Sequence, residues 1–120
     1  MATILVVDDE STIRELLQNI LEDVGYVVVE ATNGREGLAM LENQPVDLVV
    51  SDVMMPVLDG VGLCQAMQQH PTYQTIPLVL LSAAGIPRPT GACEYAAFLI
   101  KPFDYDYLVT TIARVLREHG

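Results

Sequence analysis

Basic residues are scarce in this sequence. Its 120 residues include six lysines and arginines against sixteen aspartates and glutamates, which gives a formal net charge of −10 at pH 7. A chain with this surplus of negative charge repels phosphate backbones and anionic lipid headgroups, so we expect it to bind neither nucleic acid nor a membrane surface directly. Cations and basic partner surfaces are the ligands that this charge favours.

Long apolar runs and a basic leader segment are also missing. The apolar stretch over residues 78–84 falls well short of the roughly 18 apolar residues that a membrane-spanning helix needs. The amino terminus becomes apolar at Ile4 and acidic at Asp8, without the basic stretch and cleavage site of a signal peptide. We therefore expect a soluble, cytoplasmic protein in which residues 1–120 form one domain with its own core.

Cysteine and histidine are rare as well. Cys64 and Cys93 stand alone in the sequence and lack the spacing of metal ligands, so we expect two reduced, packed thiols. His70 precedes Pro71, and His119 lies beside the carboxyl terminus. Neither histidine has neighbours typical of a catalytic or metal-binding imidazole, and we expect both at the surface.

What the sequence does contain is an alternation of strand and helix patterns. Continuous apolar runs predict five strands, over residues 3–7, 26–31, 46–50, 76–81 and 98–100. Apolar residues at helical spacing predict helices after Ser11, Asn33-Gly34, Asp59-Gly60 and Asp104. Such alternation calls for right-handed crossovers, so we expect a doubly wound α/β domain with a parallel sheet and helices on both faces.

Residues 83–95 interrupt this alternation. Gly85, Pro87, Pro89 and Gly91 lie close together there, and they disfavour a long helix. We expect a loop with at most a short helix between the fourth and fifth strands. The prediction is that residues 84–96 form no regular helix of three turns or more.

Polar side chains follow or close four of the five predicted strands. They are Asp8 and Asp9 after the first strand, Asp52 after the third, Ser82 after the fourth and Lys101 after the fifth. Ligands of open parallel sheets bind outside the carboxyl ends of the strands, so we expect these groups at one edge of the sheet. Each is also explained singly as a turn or surface residue, but their coincidence at one edge favours a functional site.

The carboxylates of Asp8, Asp9 and Asp52 define the expected chemistry. At hydrogen-bonding range, each pair of unit charges repels by on the order of 4 kcal/mol for an effective dielectric of about 20. Such a cluster suits Mg²⁺, or Mn²⁺, because it offers oxygen ligands and neither imidazole nor thiolate. The nearby hydroxyl and ammonium add donors for phosphoryl oxygens, which predicts phosphoryl transfer with Asp52 as the nucleophile.

In this order and spacing the residues resemble the receiver domains of bacterial two-component response regulators, over essentially the whole chain. The resemblance is carried by Asp8-Asp9, residues 52–56, Asp59-Gly60, Ser82 and Lys101-Pro102-Phe103. It implies a flavodoxin-like, CheY-like sheet of five parallel strands in the order 2-1-3-4-5. It also implies a signalling module that accepts a phosphoryl group from a sensor histidine kinase or a histidine phosphotransfer protein.

The resemblance assigns the acceptor and the metal ligands. Asp52 is the phosphoacceptor, and Mg²⁺ is bound by Asp9 and Asp52 directly and by Asp8 through water. The backbone carbonyl of Met54 is a further ligand. A module of this kind catalyses only its own phosphorylation and dephosphorylation and is not otherwise an enzyme.

The resemblance also assigns the switch. Ser82 and Lys101 bind the phosphoryl oxygens, and Ser82 shifts on phosphorylation together with Phe98, which lacks the hydroxyl of the commoner tyrosine. The chain between Ser82 and Lys101 is a few residues shorter than is usual in the family, so we expect the fourth helix to be shortened or irregular. Apolar residues left open there would offer a surface to a partner or to a second copy in a homodimer.

Two other functions fit parts of the pattern. An interaction-only pseudo-receiver would keep the fold without the chemistry, and the complete set of acids, Ser82 and Lys101 argues against it. A phosphatase or phosphotransferase of the aspartate-nucleophile type usually has a second aspartate two residues after the first. This chain has Met54 at that position, which disfavours the enzyme.

Overall fold

Strands and helices alternate along the chain. The computed structural model describes residues 1–83 and 93–119. Their elements are β1 (Thr3–Val7), α1 (Ser11–Val24), β2 (Val27–Ala31), α2 (Gly34–Asn43), β3 (Leu48–Asp52), α3 (Gly60–Gln68), β4 (Leu78–Ser82), β5 (Ala97–Ile100) and α4 (Tyr105–His119). Neighbouring strands are parallel, in the order β2-β1-β3-β4-β5. The predicted α/β class and strand order are confirmed.

Helices pack on both faces of the sheet. On what we call the first face, α1 and α4 bury a cluster that includes Leu17, Leu21, Leu108 and Ile112. On the second face, α2 and α3 bury a cluster that includes Leu41, Leu63, Cys64 and Met67. The central strands β1, β3 and β4 contribute residues to both clusters, which is why their sequences are continuously apolar instead of alternating.

Three helices have a capping side chain at their start, and one of these is the predicted cap Asp104. Asn33, Asp59 and Asp104 each accept a hydrogen bond from the N–H three residues on, at 2.9, 2.7 and 3.1 Å. The predicted cap of α1 is wrong, because Ser11 is already the first helical residue. Glu10 occupies the capping position, and its side chain makes no capping hydrogen bond.

Strand β3 ends later than predicted, and both β3 and β4 begin two residues later than predicted. β3 begins at Leu48 and extends through Asp52, so the acid closes the strand instead of lying in the loop. β4 runs over Leu78–Ser82 and is closed by the serine. Val46 precedes the paired part of β3 but is buried in the core of the second face. Apolar sequence therefore marks burial, and it does not mark the residue at which strand pairing starts.

Helix α1 buries fewer residues than its apolar spacing predicts, which is a stripe of Ile13, Leu16, Leu17, Ile20, Leu21 and Val24. Leu17, Ile20 and Leu21 face the core, whereas Leu16 and Val24 are 46% and 40% exposed. Leu16 lies on the flank of the helix face that meets the sheet, and Val24 is the last residue of the helix. None of the helices within the described residues is long and apolar enough to cross a bilayer, and the cytoplasmic location stays a prediction.

The predicted irregular connection falls mainly outside the described part of the chain. Residues 84–92 are not described, whereas residues 93–96 are and contain no helix. The predicted shortening of the fourth helix is therefore untested. His70 and His119 are exposed as expected, and the ring of His70 stacks on that of Tyr73 with centroids 3.9 Å apart.

The two cysteines form a disulfide, so the prediction of two reduced thiols is wrong. Cys64 lies on α3 and Cys93 lies shortly before β5, with Cα atoms 5.3 Å apart and both side chains buried on the second face. The residues are 29 positions apart in the sequence. Only the folded chain brings them together, because α3 packs beside the segment that leads into the edge strand.

Candidate phosphoryl-transfer site

The strand ends bring four predicted site residues to one edge of the sheet. Asp8 directly follows β1, Asp52 and Ser82 are the last residues of β3 and β4, and Lys101 directly follows β5. In the strand register, Asp52 pairs with the residue before Ser82, and Ser82 pairs with the residue before Lys101. Asp8, Asp52 and Ser82 are all buried. Parallel pairing therefore produces the predicted convergence.

The ammonium of Lys101 bridges two buried carboxylates. Its Nζ lies 3.1 Å from Oδ2 of Asp8 and 3.4 Å from Oδ1 of Asp52. The other oxygen of Asp8 accepts a hydrogen bond from the N–H of Glu10 at 3.0 Å, which fixes the carboxylate from both sides. The backbone N–H of Lys101 donates to the carbonyl of Ser82 at 2.9 Å. Lys101 therefore links the ends of four chain segments at this edge.

Two carboxylates beside one ammonium leave an excess of negative charge. Burial and the neighbouring charge of Asp8 raise the pKa of Asp52, and Lys101 offsets only part of this effect. Burial alone would lower the pKa of Lys101, but its hydrogen bond to Asp8 and the charges of both acids outweigh burial and raise it. The raised pKa of Lys101 favours its protonated ammonium, and the raised pKa of Asp52 means that its negative charge is less favourable here than in water.

Four acids are placed to share a cation. One oxygen from each of Asp8, Asp9, Glu10 and Asp52 lies within 4.8 Å of the others. Asp8 and Asp52 form the buried side of this group, and Asp9 and Glu10 are exposed to solvent. A donor set made of carboxylate oxygens alone suits a hard cation such as Mg²⁺ or Mn²⁺. The donor set and the excess charge both fit the predicted ion.

Glu10 joins the acidic group without a role predicted from the sequence, because it lies at the start of α1. The run Asp8-Asp9-Glu10 was the signal available in the sequence. Met54 lies two residues after Asp52 with its side chain 69% exposed. Its backbone carbonyl as a ligand stays a prediction.

Gly60 shapes the backbone beside the acceptor. A Cβ atom at this position would overlap the carbonyl oxygen of Asp52 and lie 3.0 Å from the Cα of Val53. The N–H of Gly60 donates to the carbonyl of Val53 at 2.9 Å and closes the loop after β3. In the motif Asp59-Gly60, the first residue caps α3 and the second provides the clearance that the acceptor loop needs.

Phe98, the predicted switch residue, lies on the edge strand β5. It is partly buried against the core of the second face, and its ring centroid lies 6.1 Å from that of Tyr95 at a tilt of 53°. It pairs with Leu80, two residues before Ser82. The position connects Phe98 to the strand that carries the hydroxyl, and its movement on phosphorylation stays a prediction.

The fold and this edge together define a class of protein. The sequence model of the response regulator receiver domain matches residues 4–113, and the chain belongs to this family. The chain is 42% identical over 119 residues to a protein of Porphyra purpurea named "Probable transcriptional regulator ycf27", covering 96% of this chain and 47% of that protein. It spans about half the length of the curated relatives that it matches.

Solved structures agree with this assignment. The signal receiver domain of a signal transduction histidine kinase from Syntrophus aciditrophicus has a TM-score of 0.90 and 36% identity, covering 98% of this chain and 92% of that one. The chemotaxis protein CheY4 of Vibrio cholerae has a TM-score of 0.89 and 35% identity, covering 96% and 98%. The predicted family is confirmed, and the chain is a response regulator receiver domain of the two-component type.

Proposed function

We propose that this chain is a phosphorylation-dependent receiver that accepts a phosphoryl group on Asp52 in the presence of Mg²⁺. The observation that carries the proposal is the Lys101 ammonium, 3.1 Å from Asp8 and 3.4 Å from Asp52 in a largely buried site. Burial of the two carboxylates of Asp8 and Asp52 disfavours a purely structural role, because removing each ion from water costs on the order of several kcal/mol. The arrangement instead supplies an acceptor carboxylate next to a fixed positive charge.

The transfer uses groups that already lie at the strand ends. A carboxylate oxygen of Asp52 attacks phosphorus, the bond from phosphorus to the leaving group of the donor breaks, and an aspartyl phosphate forms. Lys101 and Ser82 donate hydrogen bonds to the oxygens of the transferred group. Asp9, Asp52 and the carbonyl of Met54 would hold Mg²⁺ directly and Asp8 would hold it through water, and the bound ion would neutralise charge on the acids and the phosphoryl group.

The donor that we propose is a phosphohistidine of a sensor kinase or of a phosphotransfer protein. Membership of the receiver family supports this class of donor. A mainly apolar groove of about 280 Å³ lies beside the acceptor edge and is lined by Ile13, Leu16, Ala83, Lys101, Pro102 and Phe103. A protein that brings phosphohistidine to Asp52 has to approach this edge, so it would cover the groove and the exposed Leu16.

Phosphorylation by a small acyl phosphate tests the proposal. Intact-mass measurement after incubation with acetyl phosphate and Mg²⁺ should show one added phosphoryl group, and chelation of the metal should prevent it. Asp52→Asn should abolish the increment, whereas Asp23→Asn, which alters an exposed acid on α1, should not. An increment in Asp52→Asn would overturn the assignment of the acceptor.

The same assay defines how far the catalysis extends. We propose that the chain only forms and hydrolyses its own aspartyl phosphate, because Met54 stands where an aspartate-nucleophile phosphatase has its second aspartate. Multiple rapid turnovers of acetyl phosphate per chain would contradict this limit. A wild-type protein that gains no phosphoryl group at all would instead be an interaction module with the receiver fold.

A further inference from the structure

The disulfide between Cys64 and Cys93 takes no part in the phosphoryl-transfer chemistry. Cys64 lies on α3, which follows the acceptor loop, and Cys93 precedes β5, which ends next to Lys101. The bond therefore joins two elements whose other ends reach the acceptor edge. Both cysteines are buried in the core of the second face, at 1% and 3% exposure.

The segment that follows Cys93 does not pair with the sheet at once. Within the described residues, its backbone bonding to β4 begins where the N–H of Ala96 donates to the carbonyl of Leu78 at 2.8 Å. Glu94 is exposed, and Tyr95 is partly buried. The disulfide is thus the covalent anchor that holds this stretch of chain against α3 before strand pairing starts.

Reduction of the bond would affect one margin of the molecule selectively. In the described part of the chain β5 is an outer strand paired with β4 alone, and Tyr95 and Phe98 pack at the margin of the second face. The aliphatic core of the first face contains neither cysteine. Loss of the anchor should therefore loosen the segment that leads into β5 and leave α1 and α4 in place.

We propose that Cys64 and Cys93 form a redox-controlled tether, in which the disulfide fastens the segment leading into β5 to α3 and a dithiol reductant releases it. In the release, a thiolate of the reductant attacks one sulfur and breaks the S–S bond. The second thiol of the reductant then displaces the protein, which leaves two protein thiols and an oxidised dithiol. Glutathione disulfide reverses the change through a mixed disulfide that the second protein thiol resolves, giving two molecules of glutathione.

Access to the buried bond is expected through the outer strand. Cys93 lies next to exposed Glu94 at the margin of the sheet, whereas Cys64 is held within a helix. Local opening of the segment would expose the sulfur of Cys93 first. The proposal does not depend on phosphate acceptance by Asp52, so its test uses no phosphoryl donor.

Thiol titration of the folded protein tests the pairing. The protein is equilibrated in glutathione buffers from fully reduced to fully oxidised. Exchange is quenched with acid, the protein is denatured, its free thiols are alkylated, and its intact mass is measured by mass spectrometry. We expect chains with either no or two alkyl groups and one transition between them. Two alkyl groups in every buffer, or a lasting glutathione adduct on wild type, would overturn the proposal. Cys93→Ala is the matched control and should carry one alkyl group or one glutathione.

Amide hydrogen exchange tests the tether itself. On reduction, residues 93–100 should exchange roughly tenfold faster or more, whereas α1 and α4 should stay within about twofold. The Cys64→Ala/Cys93→Ala variant should match the reduced protein in both buffers. Equal exchange of residues 93–100 in the two redox states would overturn the tether even if the disulfide forms. Chemical reduction of wild type keeps the test decisive if the double variant does not fold.

Discussion

The two faces of the sheet are held together in different ways. The first face is closed by α1 and α4 over a cluster of buried isoleucine, leucine and valine side chains. The second face includes the Cys64–Cys93 disulfide, and partly buried Tyr95 and Phe98 lie at its margin. Burial alone is sufficient on the first face, whereas a covalent bond supports the segment that enters β5 on the second. We therefore expect the second face to lose stability in a reducing solution and the first face to be unaffected.

Removal of the disulfide should give the largest loss of stability. A bond between residues 29 positions apart contributes roughly 3.5 kcal/mol by restricting the unfolded chain. The Cys64→Ala/Cys93→Ala variant should lose about this much in denaturant unfolding. Reductant should lower the unfolding midpoint of wild type and leave that of the variant unchanged. A wild-type midpoint that is the same with and without reductant would contradict the contrast between the faces.

A cavity on the first face should lower the free energy of unfolding slightly less, and its effect should be the same with and without reductant. Leu108 is fully buried between α4 and the sheet, and its truncation to alanine typically costs about 3 kcal/mol. We expect Leu108→Ala to lose the same amount with and without reductant, because distant sites add independently. The measurement is denaturant unfolding under both conditions. A difference above roughly 1 kcal/mol would mean that the two faces are coupled.

The protein should become more stable when the negative charge of Asp52, at the acceptor edge of the sheet, is removed. The pKa of Asp52 is raised above the ordinary value of 3.8 by burial and by Asp8. Protonation of Asp52 therefore favours the folded state. This contribution to the free energy of unfolding is fully present below pH 3.8, the ordinary pKa, and is lost as the pH rises through the raised pKa of the folded protein. Asp52→Asn should therefore raise the stability of the metal-free protein at pH 7, by on the order of 1 kcal/mol or roughly 4 °C in Tm.

Thermal unfolding in a chelating buffer measures this gain, which should shrink as the pH is lowered towards 4 (about the ordinary aspartate value). Asp23→Asn on the surface of α1 is the control and should leave Tm unchanged. Mg²⁺ should stabilise wild type more than Asp52→Asn, because the variant lacks one ligand charge. A lower Tm for metal-free Asp52→Asn at pH 7 would show that Asp52 stabilises the resting fold.

The smallest effect should come from the loop that leads into α3. Val57 has φ of 71° and is 72% exposed, a left-handed conformation that a β-branched residue adopts only with strain. Val57→Gly should relieve the strain and, after the entropy of glycine in the unfolded chain is counted, stabilise the protein by about 0.5 kcal/mol. Val24→Gly at the end of α1 is the matched control and should destabilise. Equal losses for both variants would refute the prediction.

Local signals predicted much of the fold. The cap at Asp104 could be predicted from the sequence because its side chain accepts a hydrogen bond from a backbone N–H only three residues away, and Asn33 and Asp59 cap their helices in the same way. The acceptor edge could be located for a different reason. Parallel strands align their carboxyl ends, so residues at the ends of separate apolar runs meet whatever their distance along the chain.

Features that depend on packing between elements were missed. The Cys64–Cys93 bond requires α3 to lie beside the segment before β5, and sequence spacing does not encode that distance. The exposure of Leu16 depends on how closely its helix approaches the sheet. The left-handed Val57 has no signal in its residue type, since valine normally avoids that conformation.

Lys101 gives the sheet a mechanical connection from its centre to its margin. Its side chain contacts acids that follow the inner strands β1 and β3, while its backbone is bonded to the end of β4 and continues from β5. A displacement of the Lys101 side chain at the acceptor edge therefore acts on the residue that directly follows β5. Among the residues that the structure describes, β5 has one hydrogen-bonded neighbour, so fewer backbone hydrogen bonds hold it than hold the inner strands. The residue whose ammonium contacts the buried acids is therefore also the residue that directly follows β5.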